Sequence, residues 1–184
     1  MIYHKTSLND ALVLELEKIE DERGFFARTW CKDEFVSHGL DVSLAQCSVS
    51  FNHKKGTLRG MHFQLPPYAE TKLVRCTHGS IFDVIIDLRA SSPTYRKWTG
   101  VKLSSENRQM LYIPQGFAHG FQTLEDQSEV LYFISKPYSP ESAGGVCWND
   151  PFFQVDWPQE ASRTISAKDQ SWPPYHQRQP PWFS

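Results

Sequence analysis

The stretch KLVRCTHGSIFDVIIDLR, residues 72–89, restricts the possible folds more than any other part of the chain. From Phe82 onward its apolar residues recur at every second position: Phe82, Val84, Ile86 and Leu88 share one face, and Asp83 and Asp87 share the other. That period belongs to a β-strand with two chemically distinct faces, and the break at His78-Gly79 predicts a hairpin. The same alternation puts Leu12, Leu14 and Leu16 on one side of a strand that ends in a turn at Asp21 to Gly24. Further short runs, WTGVKLS, QMLYIP, FQTLED and EVLYFIS, follow at close spacing with turn residues between them. Such a series predicts an all-β antiparallel sandwich or barrel. Residues 31–39, CKDEFVSHG, predict one short helix closed by Gly39.

At 184 residues the chain suits one domain with a real core. Aromatics at 14% and 12 prolines favour strands, turns and clefts over a helical bundle. The C-terminal SWPPYHQRQPPWFS, residues 171–184, holds too many prolines for a central strand and is expected to lie extended over the surface. With Lys+Arg 19 against Asp+Glu 21, no basic excess exists to neutralise a nucleic-acid backbone, so DNA and RNA are not expected partners. The start, MIYHKTSLND, lacks the apolar core of a signal peptide, and no stretch approaches the roughly 20 apolar residues of a membrane span. A soluble, cytoplasmic protein without a membrane partner is expected. Cys31, Cys47, Cys76 and Cys147 form no CxxC pair, which predicts reduced, mostly buried thiols.

Within GTLRGMHFQ, residues 56–64, strand alternation sets His62 and Gln64 on one face and Met61 and Phe63 on the other. A histidine facing the lumen of a closed sheet needs a hydrogen-bond partner or a ligand. Metal ligand, proton-transfer catalyst and packed core imidazole are all open on that basis. Gly56, five residues, then His62, followed later by Pro114-x-Gly116-x-x-His119, is similar to the paired signatures of cupin barrels. Metal-binding members of that superfamily carry His-x-His in the first signature, where this chain has His62-Phe63-Gln64, and Glu70 is displaced. His62 and His119 are two dependable ligands, fewer than a catalytic metal takes from protein, and no metal is expected.

The chain as a whole resembles the nucleotide-sugar epimerases typified by dTDP-4-dehydrorhamnose 3,5-epimerase, a metal-free branch of the cupins. DERGFF, TLRGMHFQ, KLVRCTHGSIFDVIIDLR, SPTYRKW, LYIPQGFAHGFQ, WNDP and ISAKDQ match that family's landmarks in order and cover nearly the whole sequence. The resemblance implies a cupin-type jelly roll with a few short helices and no cofactor. It also implies a homodimer in which N-terminal strands complete the partner's sheet, a role open to LVLELE, residues 12–17. The implied substrate is a nucleoside-diphosphate 4-keto-6-deoxyhexose, dTDP-linked, inverted at C3 and C5. An enzyme inverting C3 alone, a metal-dependent cupin and a catalytically silent sugar-binding cupin are the alternatives.

By the same resemblance His62 is the base and Asp169 its carboxylate partner. Lys72 stabilises the enolate oxygen, and Tyr138 returns a proton from the side opposite the histidine. Arg23 and Arg59 contact the diphosphate, Phe26 is an aromatic near the base, Gln46 is a polar pocket residue, and His119 contacts substrate or supports the groups that do. Chemistry asks for such a set, because a carbon acid beside a ketone needs both a base and a stabilised enolate oxygen. Three positions depart from the family pattern: Arg28, Pro137 before Tyr138, and Gly144.

Overall fold

The computed structural model describes residues 1–175 and Phe183. In chain order its elements are β1 (Ile2–Lys5), β2 (Leu12–Glu15), β3 (Lys18–Asp21), β4 (Gly24–Ala27), α1 (Lys32–Ser37), β5 (Gln46–Asn52), β6 (Thr57–Gln64) and β7 (Lys72–His78). There follow β8 (Ser80–Asp87), β9 (Trp98–Ser104), β10 (Met110–Ile113), β11 (Phe117–Thr123), β12 (Ser128–Ile134), β13 (Ala143–Gly145), β14 (Thr164–Ile165) and α2 (Ala167–Gln170). One sheet runs β1-β2-β10-β7-β12-β5, and the other runs β13-β6-β11-β8-β9 with β14 added to β6. Pairing is antiparallel except between β14 and β6. Strands β3 and β4 form a separate hairpin. Among the described residues no helix is long and apolar enough to cross a membrane.

The two large sheets face each other over a core of Val74, Cys76, Ile81, Ile85, Leu111 and Val130. On the outer side of the β6 sheet, Leu58, Met61, Phe63, Val84 and Ile86 meet Phe153, Trp157 and Tyr175 from the C-terminal segments. Helix α1 covers part of the other outer face, where its Phe35 packs with Leu14, Leu73 and Tyr112. It stops before Gly39, which takes the left-handed conformation at φ +69°. The alternation read from the sequence holds on β8: Val84, Ile86 and Leu88 point outward, with Phe82 packed against them.

Four expectations are corrected. Strands β7 and β8 do not pair as a hairpin but belong to facing sheets, and the chain crosses between them at Gly79, φ +71°. Strand β8 pairs instead with β9, the next strand along the chain, on one edge and with β11 on the other, so no edge is left for β7. Strand β2 is already paired on both sides, by β1 and β10, so its backbone is not free for a second copy. The C-terminal segment does not only skirt the surface: Tyr175 and Phe183 are buried against the β6 sheet, where their rings cover apolar area. Residues 176–182 and 184 lie outside the described residues. Of the four free thiols only Cys76 is buried; Cys47 is exposed on edge strand β5, and Cys31 and Cys147 are half-buried.

Candidate active site

Between the sheets lies a cavity of about 400 Å³, walled by β6 and β11 on one side and by β5, β7 and β12 on the other. Strand β6 delivers two side chains into it through an irregularity. His119 lies opposite His62 and Phe121 opposite Arg59, so β6 spends one extra residue over that interval and both Arg59 and His62 face inward. Gly60 makes this possible. Its φ is +137°, and a Cβ there would stand 2.6 Å from the Gly120 Cα.

Asp169 reaches His62 because β14 pairs with β6 and returns the chain to it, placing α2 alongside. Ser166 caps this single turn by accepting from the Asp169 N–H at 3.1 Å. The Asp169 carboxylate lies 2.6 Å from His62 Nε2, and its second oxygen accepts from the Gly60 N–H at 3.3 Å. A carboxylate only accepts, so Nε2 carries the proton and Nδ1 of the neutral ring is left with its lone pair. Burial works to raise the Asp169 carboxyl, but the hydrogen bonds from His62, the Gly60 N–H and Ser166 together hold it below the usual aspartate range. The pair is therefore a histidine fixed by an ionised acid, with the ring itself open to the cavity at 42% side-chain exposure.

Lys72, on the inner face of β7 with Val74 and Cys76, is nearly buried and pairs with Glu70 at 3.0 Å. His119 lies in strand β11, only 4% exposed, and is bonded to the fully buried Asp83 at 2.7 Å. Arg59 donates to Asn52 Oδ1 at 2.8 Å and lines the cavity. Gln46 also lines it, and its Oε1 accepts from the Tyr138 N–H at 2.8 Å, tying β5 to the loop after β12. Tyr138 stands at the mouth with 58% exposure.

Arg23 and Phe26 are not brought to this cavity. Both lie on the β3–β4 hairpin, where Arg23 pairs with Asp21 and Phe26 is 70% exposed. Conversely, Tyr132 is a phenol inside the cavity that sequence reasoning passed over, although the alternation Val130, Tyr132, Ile134 through EVLYFIS placed it on an inner face. Burial first, then the Asp83 carboxylate, push this phenol up, against a smaller opposing pull from Arg59, so it holds its proton at neutral pH. Its ring meets His119 edge-on, with centroids 6.0 Å apart across the gap between the sheets. His62 and Tyr132 thus stand on opposite walls. Of the departures, Arg28 bonds Glu34 at 3.1 Å, and Gly144 packs so closely on Phe63 that a Cβ would fall 2.5 Å from its ring.

Taking a proton from one side of a carbon and returning it from the other is the chemistry that such facing groups serve, and it places the protein among cupin-fold isomerases. The family model described as dTDP-4-dehydrorhamnose 3,5-epimerase matches residues 5–177, and the chain belongs to that family. It is 46% identical over 167 residues to dTDP-4-dehydrorhamnose 3,5-epimerase of Escherichia coli (strain K12), covering 90% of each chain. The crystal structure of dTDP-4-dehydrorhamnose 3,5-epimerase from Elizabethkingia anophelis NUHP1 superposes with a TM-score of 0.94 at 38% identity, covering 97% of this chain and 98% of that one. The 3,5-epimerase of Legionella pneumophila Philadelphia 1, solved in complex with dTDP-4-keto-L-rhamnose, gives 0.85 at 35% identity over 91% of this chain and 89% of that one.

Proposed function

We propose that the protein inverts C3 and C5 of a dTDP-linked 4-keto-6-deoxyhexose in deoxysugar biosynthesis of the rhamnose type. The observation that carries this reading is the 2.6 Å contact between His62 and Asp169 on the wall opposite Tyr132. His62 takes a proton from a carbon beside the C4 ketone. Asp169 fixes the tautomer and stabilises the imidazolium that forms. C3 and C5 flank the same ketone, so both enolates place their charge on one oxygen, and Lys72 is the cation positioned to stabilise it in a water-poor cavity. Tyr132, inside the cavity on the facing wall, supplies the proton from the other face in this reading, in place of Tyr138, which the resemblance implied for that role but whose ring is 58% exposed at the mouth. Tyr138, with its exposed ring at the mouth, stacks on the nucleotide base, and Arg59 takes the diphosphate through a planar guanidinium.

The experiment is conversion of dTDP-4-keto-6-deoxyglucose by the purified protein, followed by proton NMR. Inversion at both carbons is expected, inversion at C3 alone would make the protein a mono-epimerase, and recovery of unchanged ketosugar after long incubation would refute the assignment.

The functional unit is a homodimer in this reading. Phe26 and Ile19, each 70% exposed, lie on one hairpin beyond the chain's own cavity, and edge strand β5 presents Val49 and Phe51. Apolar side chains and an unpaired strand edge of this kind favour a partner surface. A second copy would cover them and bring Arg23 and Phe26 to a neighbouring cavity. Light scattering at micromolar concentration is expected to give twice the 21.3 kDa chain mass, and a monomer there would count against it.

A further inference from the structure

Glu70 is a carboxylate inside the cavity for which the acid–base scheme above has no task. Its side chain is 10% exposed, one oxygen lies 3.0 Å from the Lys72 ammonium, and the other accepts from Gln64 Nε2. Gln64 is itself buried and fully engaged: the two hydrogens of Nε2 are shared among Glu70 and the carbonyls of Tyr68 at 3.0 Å and Pro137 at 3.2 Å, while Oε1 accepts from the Ser139 N–H at 2.6 Å. The Glu70 backbone is held as well, because Thr71 exchanges hydrogen bonds with Ser135 at 2.8 and 3.0 Å. A rigid frame therefore ends on the ammonium group of a side chain with four rotatable bonds. A buried ion pair brings little net stability over an apolar pair, so folding alone does not account for it.

Resting on the assignment of Lys72 to the enolate oxygen, we propose that Glu70, braced by Gln64, is a positioning residue that holds the Lys72 ammonium where the C4 oxygen of the substrate becomes negative. An unpinned lysine samples many rotamers, and stabilisation of a transition state depends on a donor already in place. The same Gln64 amide fixes both sides of Tyr138, so the cation and the mouth of the cavity share one frame. Because C3 and C5 form their enolates on one oxygen, loss of Glu70 slows both inversions by the same factor.

The test is a double-mutant cycle with Glu70→Gln, which keeps the volume, and Lys72→Ala. In the native background Glu70→Gln should lower kcat by about 10-fold or more, equally at C3 and C5, with KM within about 3-fold, as expected for a donor made only in the transition state. In the Lys72→Ala background the same change should cause no further fall, since the residue it acts through is gone. A general structural role would lower kcat equally in both backgrounds, and that result, or a native rate for Glu70→Gln alone, would overturn the proposal. A native rate for Lys72→Ala alone would instead remove the assignment of Lys72, which separates the two failures. Thermal unfolding of each variant identifies any that fail to fold, and Glu70→Asp, which keeps the charge but retracts it from Lys72, is expected to fall between Gln and native.

Discussion

His62→Ala is expected to lower turnover toward the upper end of the roughly 10²- to 10⁴-fold range for a general base, while dTDP binds within a few-fold of native. The base is the one group without which neither carbon can lose its proton. His62 contributes little to the core, because its ring is open to the cavity and its fixed partner is Asp169. The variant should therefore fold, and solvent deuterium should stop entering at both C3 and C5. Calorimetry with dTDP and wash-in by NMR separate the two effects. Native turnover in the variant would remove His62 from the mechanism.

Lys72→Ala should cost about 10²- to 10³-fold in kcat, by analogy with the loss of an oxyanion donor, and the loss should be equal at the two carbons. Removing the ammonium also leaves the Glu70 carboxylate facing the developing negative charge, which works in the same direction. A fall confined to one carbon would show that the C4 oxygen is not the shared point of stabilisation. A near-native rate would return Lys72 to a packing role. Ground-state binding of the nucleotide should change little, so the effect should appear in kcat rather than KM.

Period-two patterning carried most of the architecture, because alternation is a local property of the backbone and is visible in any strand with two unlike faces. It foretold that His62 and Gln64 share one face of β6 and that Phe82, Val84, Ile86 and Leu88 share one face through β8, but not the irregularity that turns Arg59 to the same side as His62. It did not foretell which strands pair. The tight turn at His78-Gly79 looks the same whether the chain folds back in one sheet or crosses to the other, and here it crosses. The dyad was legible only through resemblance. Asp169 meets His62 across 107 positions of sequence, through the β14 pairing and a one-turn helix. Tyr132 was missed because a tyrosine inside an apolar strand reads as core until the facing wall is known. Arg23 and Phe26 were readable as substrate contacts by resemblance alone, and their own chain places them on an exposed hairpin. Glu70 was noticed as a displaced metal ligand, and its place beside Lys72 came from geometry.

The most direct measurement is proton NMR of dTDP-4-keto-6-deoxyglucose in heavy water, comparing native protein with Tyr132→Phe. If His62 and Tyr132 act from opposite faces, native protein gives deuterium at C3 and C5 with inversion. Tyr132→Phe then gives deuterium at those carbons with configuration retained, since His62 can still remove and return a proton on its own side. Inversion at the native rate in Tyr132→Phe would contradict the account.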